Sequence, residues 1–279
     1  MQWLQAIFKR TLKHKYAINS KLLGDSSKFA WSNLGYWDTA TVSYPQACSQ
    51  LAQRLADAVH LNSNDILLDL GCGQGASLEL WKTIFHVKHI EAVELQPLCV
   101  SHIQNNINFI HKIHCESFLN LKAENFEFKF DVALCVDAAY HSDLNLFVSA
   151  VSLVLNSKGR MAYHYLALTE KFSHLNSFQK KKYQYLLKCA DVNLKHLSTD
   201  VELNQLLNRH AFKQVQIKDL SENVLNGFSN YIYEHGTLNE KNKDLDYLKI
   251  LMTAKLCKKL YEDDLIHYVQ VSAVKSDKS

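Results

Sequence analysis

Acidic residues and a histidine end several apolar runs in this chain, and they are the residues whose types and spacing could do chemistry. The first is Asp69, which ends an apolar run and precedes three glycines at alternate positions: Gly71, Gly73 and Gly75. The 279 residues contain only eight glycines, so three within five positions indicate a turn with positive φ or a close backbone approach. A strand, tight turn and helix of this kind can hold a nucleotide-like cofactor.

The charge at the end of this strand separates two kinds of cofactor. Gly71, Gly73 and Ala76 also meet the looser dinucleotide fingerprint, so an NAD(P)-dependent oxidoreductase is one alternative. A carboxylate at Asp69 would repel a pyrophosphate but suits a cationic ligand. S-adenosylmethionine carries a sulfonium and an ammonium group, so the charge favours this methyl donor over a dinucleotide.

The glycine stretch resembles the first motif of the class I S-adenosylmethionine-dependent methyltransferases. Its D-x-G-x-G-x-G form is matched by Asp69, Gly71, Gly73 and Gly75, and the resemblance adds Cys72 to the implied donor contacts. It implies an α/β fold, with a Rossmann-like, seven-stranded, mostly parallel sheet and helices on both faces, and S-adenosyl-L-methionine as cofactor. The small-molecule members of type 11, which act on sterols, tocopherols and natural products, are the most similar.

A loop ahead of the first long helix adds an aromatic pair, Tyr36 and Trp37, after Gly35. In the same families a similar N/H-x-G-Y-W stretch closes over the methyl donor, which implies donor contacts for both rings. An aromatic face near a sulfonium gains roughly 0.5 to 2 kcal/mol. The alternative is that the two rings pin the loop to the core.

Two further acidic positions are candidates for holding the nucleoside. Glu94, followed by Leu95, ends the predicted second strand nineteen residues beyond Gly75, where a ribose-binding carboxylate is expected. Glu94 could instead be an acid ahead of the next helix. After the third strand, Cys115-Glu116-Ser117 stands where related enzymes have G-D-A, so Glu116 is the implied acceptor for the adenine amino group. Leu95 and Ser117 are placed with the donor-binding residues.

The fourth predicted strand ends in a polar cluster that contains Asp137, Tyr140 and His141. Ligands bind at the carboxyl ends of strands in open parallel sheets. The cluster resembles the D-x-A-Y-H motif of the same families, in which a histidine faces the substrate; Asp137 is placed with the donor-binding residues. An imidazole can take a hydroxyl proton near neutral pH, so His141 is the candidate general base. A capping or packing histidine is the alternative.

The pattern of the remaining segments predicts a single domain over 1–279. A helical extension covers 1–32, the cofactor-binding core covers 33–166, and helical insertions at 167–200 and 238–262 form a lid over the strand ends. The last strand, about 267–274, is expected to be antiparallel at the far end of the sheet.

Composition narrows the environment and the partners. The formal net charge of +3 is interspersed along the chain and argues neither for nor against nucleic acid. We expect no nucleic-acid partner because the chain has no appended basic domain. Seven cysteines without a C-x-x-C pair suit a reducing cytoplasm. No apolar run has transmembrane length, although a short stripe near the N-terminus would permit peripheral membrane contact. A homodimer is a further candidate, and no zinc-ligand spacing occurs.

These residues predict methyl transfer to a small, largely apolar acceptor, at a hydroxyl oxygen. Carbon or nitrogen methylation of a lipid, sterol or amine is the main alternative, followed by a binding protein without activity. A macromolecular methyltransferase is disfavoured because the chain lacks the N/D-P-P-Y/F/W motif and a basic domain. The chemistry would be mostly positioning, with an in-line nucleophile about 3 Å from the methyl group.

Overall fold

The computed structural model describes residues 18–235 and 245–277, and seven strands form one sheet in this part of the chain. The strands are β1 (Ile66–Leu70), β2 (His89–Glu94), β3 (Lys112–Cys115), β4 (Phe130–Cys135), β5 (Leu155–Leu168), β6 (Phe212–Asp219) and β7 (Ile266–Lys275). The α-helices are α1 (Tyr44–Ala58), α2 (Ala76–Thr83), α3 (Pro97–Asn106), α4 (Leu144–Val154), α5 (Glu170–Ser173), α6 (Ser177–Lys188), α7 (Asp200–Arg209), α8 (Gly227–His235) and α9 (Leu245–Asp263).

The strand order is β3-β2-β1-β4-β5-β7-β6, with β1 to β5 parallel and β7 antiparallel to both of its neighbours. The α/β fold class, with its mostly parallel sheet, is therefore confirmed. The expected position of the last strand is wrong in detail, because β7 lies between β5 and β6. Most residues of β7 are buried, whereas most of β6 is exposed, so the more apolar strand takes the interior position.

Apolar side chains on the two faces of the sheet form two clusters. One contains residues of α2 and α3, including Leu78, Trp81 and Ile103. The other contains α4 and the helices of the insertions, including Phe147 and Leu187. Because both faces are covered, the central strands read as continuous apolar runs, and the glycine turn and Asp137 lie at their carboxyl ends.

The second helical insertion begins earlier in the chain than the sequence pattern indicates. The first insertion contains α5 and α6 as expected, but a π-helical turn (Glu222–Asn226) and α8 precede the second one. Gly227 at the start of α8 lets the helix approach Trp37, since a Cβ there would lie 2.5 Å from the Trp37 Cβ. Of the predicted N-terminal extension, the structure describes only 18–32, with a 3-10 turn at Ser20–Leu23; the apolar stripe lies outside the described residues.

No helix within 18–235 or 245–277 has both the length and the hydrophobicity needed to cross a membrane.

Candidate functional site

The glycine turn after β1 leaves open space above its backbone. Gly71, Gly73 and Gly75 have φ values of 75°, 55° and 97°, a region that favours glycine. A Cβ on Gly73 would meet only the Ser32 Oγ, at 3.7 Å, whereas one on Gly71 would lie 3.1 Å from the Ala138 Cβ. The turn can therefore accept a ligand directly against Gly73.

Glu94 braces this turn from the end of β2. Its Oε2 accepts a hydrogen bond from the Gly73 N–H at 2.9 Å, and its Oε1 accepts one from the Gln96 N–H at 2.8 Å, just ahead of α3. A carboxylate offers about four lone-pair positions, so two remain for ribose hydroxyls. The ribose contact stays a prediction. The same side chain also takes the alternative role of an acid ahead of a helix, because it accepts from the Gln96 N–H directly before α3.

Asp69 lies behind the turn, at 1% exposure. Its Oδ2 accepts from the Ser77 Oγ and the Trp81 Nε1, both at 2.7 Å, which ties β1 to α2. Burial raises the pKa of Asp69 to about 6, although these two hydrogen bonds oppose the shift. Near neutral pH the carboxylate therefore places a negative charge beneath the open turn, as a cationic donor requires.

The rings of Tyr36 and Trp37 hold the loop between α1 and α8. The Arg54 guanidinium lies 3.7 Å from the Tyr36 ring centroid, and Trp37 stacks on Tyr231 at 4.1 Å. The Trp37 Nε1 also donates to the Leu34 carbonyl at 2.9 Å. These contacts match the alternative that the rings pin the loop, and the predicted contact of both rings with the donor stays a prediction.

The other predicted donor residues stand near the same edge with differing exposure. Cys72 is buried and Leu95 is 61% exposed. The Glu116 Oε1 lies 3.9 Å from the His114 Nδ1, and the Ser117 Oγ accepts from the Leu119 N–H at the start of a 3-10 turn. Glu94 is in register with Cys115, so Glu116 and Ser117 leave the sheet beside Leu95. Their contacts with adenine stay predictions.

Asp137 connects three parts of the chain at the end of β4. Its Oδ1 accepts from the hydroxyls of Tyr140 and Tyr268 at 2.7 and 2.8 Å, and its Oδ2 accepts from the Leu34 N–H at 3.0 Å. Its own N–H donates to the His164 Nδ1 at 3.2 Å. Burial raises the pKa of Asp137 to about 6. The carboxylate thus joins the loop after Ser32 to β4 and β7.

The two histidines at this edge differ in environment. His164 is fully buried, and burial lowers its pKa to about 3, so the ring is neutral at ordinary pH. His141 is half-buried, and its Nδ1 lies 3.2 Å from the Asp191 carbonyl oxygen. Because a carbonyl only accepts, this contact needs a hydrogen on Nδ1, so the neutral ring keeps its basic lone pair on Nε2.

A cavity of about 430 Å³ lies between the strand ends and the helices α6 and α9. Asp137, Tyr140, His141 and Tyr268 line one part of it, and Ser32 lines it as well. Since Ser32 is also the nearest neighbour of a Gly73 Cβ, the cavity begins beside the glycine turn. Most of the remaining wall is apolar, including Leu166, Leu187, Val192, Leu225, Ile250 and Leu256.

Several lining residues were not predicted from the sequence. Ser32 precedes the quoted loop, and Tyr140 lies inside the D-x-A-Y-H stretch without an assigned role. Tyr268 belongs to a strand whose alternation predicts a buried face but not what that face meets. The insertions were predicted to form a lid, but no motif in them marks the individual residues that line the cavity.

The strand order, the glycine turn after β1 and the acid at the end of β2 are those found in the class I S-adenosylmethionine-dependent methyltransferases. Residues 68–163 match the family model described as a methyltransferase domain. The chain is 35% identical over 75 residues to erythromycin 3''-O-methyltransferase of Saccharopolyspora erythraea, a match that covers 27% of this chain and about a quarter (24%) of that protein.

Solved structures share the fold over most of the chain. The geranyl diphosphate C-methyltransferase of Streptomyces coelicolor A3(2), solved with Mg²⁺, geranyl diphosphate and S-adenosyl-L-homocysteine, has a TM-score of 0.67 at 14% identity, covering 92% of this chain and 96% of that one. A cyclopropane synthase of Mycobacterium tuberculosis has a TM-score of 0.72 at 14% identity, covering 95% of each chain. A Haemonchus contortus phosphoethanolamine N-methyltransferase has a TM-score of 0.65 at 16% identity, covering 84% of this chain and 54% of that one.

These findings confirm the predicted class, fold and methyl donor. The similar proteins include C-, N- and O-methyltransferases, so they do not determine the acceptor.

Proposed function

We propose that this protein transfers the methyl group of S-adenosylmethionine to a hydroxyl oxygen of a small, largely apolar molecule. The observation that carries the proposal is the apolar cavity that begins beside Gly73 and contains His141. Its volume lies within the roughly 300 to 1,000 Å³ of small-molecule sites. Cavity and glycine turn adjoin at Ser32, so an acceptor and a donor in the two places would meet.

The residues around the turn fit the donor. The open space above Gly73 leaves room for the donor to lie against the backbone of the turn. Glu94 keeps lone pairs that can accept hydrogen bonds from the ribose hydroxyls of the donor. The buried charge of Asp69 favours a cation. Cys72, Leu95, Glu116 and Ser117 complete the proposed donor contacts, with Asp137 between donor and acceptor.

His141 acts as the general base that takes the proton of the acceptor hydroxyl. When bound, the donor supplies a methyl group on a positively charged sulfur, and the carbon–sulfur bond breaks as the acceptor oxygen forms its bond to that carbon. The His141 Nε2 takes the proton that the hydroxyl loses, while the contact of Nδ1 with the Asp191 carbonyl steadies the ring. The apolar wall excludes water and aligns the acceptor, which is the main contribution expected of such a site.

Oxygen is favoured over carbon or nitrogen because His141 stands in the cavity and because an O-methyltransferase is among the relatives. The oxidoreductase alternative receives no support from the domain match. Cytoplasmic location, a homodimer and peripheral membrane contact stay predictions.

The test is the variant His141→Ala, assayed with S-adenosylmethionine carrying a labelled methyl group and an extract of small molecules as the acceptor source. We expect turnover to fall about 10²- to 10⁴-fold, as for loss of a general base, with unchanged S-adenosylhomocysteine affinity. His174→Ala, an exposed histidine outside the cavity, is the matched control. Near-normal turnover of His141→Ala would refute the role of the histidine, and labelled amines or alkenes as the only products would refute oxygen transfer.

A further inference from the structure

The cavity has a different electrostatic character at its two ends. Asp137, the two tyrosines bonded to it and His141 stand at the strand ends, where methyl transfer is proposed. Three lysines also line the cavity, Lys249, Lys255 and Lys259, and all of them belong to α9. The methyl-transfer chemistry described above uses none of the three.

Lys249 stands near the start of the wall that α9 contributes. The residues four, seven and eleven positions after it are Thr253, Leu256 and Leu260, and all three line the cavity. This spacing follows one face of an α-helix, so a largely apolar stripe follows Lys249. Asp246, one turn before Lys249, also lines the cavity. Lys259 lies about 80° round the helix from Lys249, at the margin of this face, and Lys255 lies about 120° round on the same side. Both still line the cavity.

The stripe also fixes how far Lys249 lies from the catalytic end. Cys257 and Asp137 both line the cavity, and burial and then the charge of Asp137 raise the pKa of Cys257. Lys249 precedes Cys257 by eight residues, which is about 12 Å along a helix axis. A molecule that reaches from His141 along the apolar wall would place its other end near Lys249.

The ion pairs of these lysines leave room for a ligand. The Lys249 Nζ lies 3.4 Å from the Asp246 Oδ1, but the lysine side chain is 49% exposed, and ion pairs that are open to solvent are weak. The Lys259 Nζ is held more closely, 2.6 Å from the Asp263 Oδ2. Lys255 is exposed.

Positive charge is concentrated on the two helices that cover the cavity. Together α6 and α9 contain eight lysines and three acidic residues, while the formal net charge of the whole chain is only +3. α6 contributes four of the lysines and none of the acids. An anion approaching the lid would therefore meet a favourable potential, and a cation an unfavourable one.

We propose that the acceptor is an anionic amphiphile, whose carboxylate or phosphate binds Lys249 and Lys255 while its apolar body extends to His141. This assignment rests on the proposed function, because it names the substrate class of the same cavity. The carboxylate of Asp137 at the other end favours the orientation in which the acidic group lies away from the reacting hydroxyl.

Binding of monomeric ten-carbon probes to the full chain with saturating S-adenosylhomocysteine tests the proposal. Decanoate, decanol and decyltrimethylammonium share the apolar chain and differ in charge. We expect decanoate to bind about tenfold tighter than the cation, and the double variant Lys249→Gln/Lys255→Gln to remove that difference. The affinity for decanol should stay within about twofold in the same variant, since its contacts are apolar.

Lys258→Gln is the matched control, because Lys258 lies on the same helix but pairs with Glu262 and does not line the cavity. It should leave all three affinities unchanged, and Lys249→Arg/Lys255→Arg should keep the preference for decanoate. Equal affinities of the three probes in the wild type, or a loss in Lys258→Gln as large as in the double variant, would overturn the proposal. So would binding to phosphatidylglycerol vesicles without binding of monomeric decanoate, since the lysines would then serve a membrane surface.

The failure of this inference is distinguishable from failure of the proposed function. If the extract yields labelled products and all of them are neutral, the anionic class is wrong while methyl transfer stands. If decanoate binds as expected and no hydroxyl in the extract is methylated, the proposed reaction is wrong while the lysine site stands.

Discussion

The glycine turn after β1 and the cavity beneath α6 and α9 meet at Ser32, but the chain assembles them differently. The turn, the acid behind it and the glutamate that braces it all lie within residues 69–94, and their hydrogen bonds join neighbouring elements. The cavity wall brings together residues as distant as Ile18, His141 and Tyr268. The glycine turn with Asp69 and Glu94, the donor half of the site, is formed by local backbone. The cavity, the acceptor half, is formed by side chains from distant parts of the chain, and such sites vary independently of the fold.

A substitution should therefore act in different ways in the two regions. In the turn, a new side chain changes φ and the position of the N–H groups, so the effect reaches every contact that the turn makes with the donor. In the cavity, it changes the shape or charge of one wall and leaves the backbone as it was. The predictions below are ordered by expected size, and each one tests this difference.

The largest effect is expected for Gly73→Val. A β-branched residue is strained at φ 55°, and its side chain would occupy the space above the turn, so donor binding should fall below detection. The measurement is the shift in melting temperature with S-adenosylhomocysteine, which should disappear. Gly24→Val is the control, since Gly24 also has positive φ but a Cβ there meets nothing within 4 Å. Normal donor binding by a folded Gly73→Val protein would remove the turn from the site.

Second in size is the effect of Asp69→Asn on stability. The folded-state pKa of Asp69, about 6, lies above the unfolded value of 3.8, so its contribution to stability is complete below about pH 3.8 and lost as the pH rises through 6. The loss amounts to about 3 kcal/mol in the free energy of unfolding. Ser77 and Trp81 both donate to Oδ2, so an asparagine oxygen can accept both hydrogen bonds.

The variant should therefore be more stable than the wild type at pH 8 and similar to it at pH 4, while its donor affinity falls because the buried negative charge is gone. Denaturant unfolding across this pH range measures the first effect, and melting shifts with ligand measure the second. Part of the pH dependence should persist in the variant, because burial also raises the pKa of Asp137. A variant less stable than the wild type at pH 8 would contradict the cost assigned to the buried charge.

Leu256→Trp should act on the acceptor half alone. Leu256 lies on the lining stripe of α9, so an indole would fill part of the cavity and weaken decanol binding about tenfold. The affinity for S-adenosylhomocysteine should not change, which separates the two regions in one protein. Leu248→Trp on the same helix, 46% exposed and outside the cavity wall, is the control. Loss of donor affinity in Leu256→Trp would show that the two halves are one structural unit.

The same difference explains what the sequence can predict. Gly73, the spacing to Glu94 and the position of His141 at a strand end depend on a local pattern and on the rule that parallel strands end at one edge. Tyr268 reaches Asp137 only because β7 returns between β5 and β6, pairing Tyr268 with Leu166. Its alternation predicts a buried side chain but not its partner. The position of Lys249 depends likewise on how a lid helix packs, which helical periodicity alone does not fix.

The smallest effect is expected where Tyr268 donates to Asp137. Tyr140 and Tyr268 both donate to Oδ1, so Tyr268→Phe removes one of two hydrogen bonds and should lower the free energy of unfolding by about 1 kcal/mol. The pKa of Asp137 should rise further, because the charged form loses a donor. The double variant Tyr140→Phe/Tyr268→Phe should lose more free energy of unfolding than the sum of the single changes, since no hydroxyl then donates to Oδ1.

Tyr163→Phe is the control, because the buried Tyr163 hydroxyl has no hydrogen-bond partner among the described residues, and its removal should not destabilise the protein. Both substitutions keep the ring, so an equal loss in Tyr163→Phe and Tyr268→Phe would show that the hydrogen bond to Asp137 contributes nothing beyond the loss of a hydroxyl.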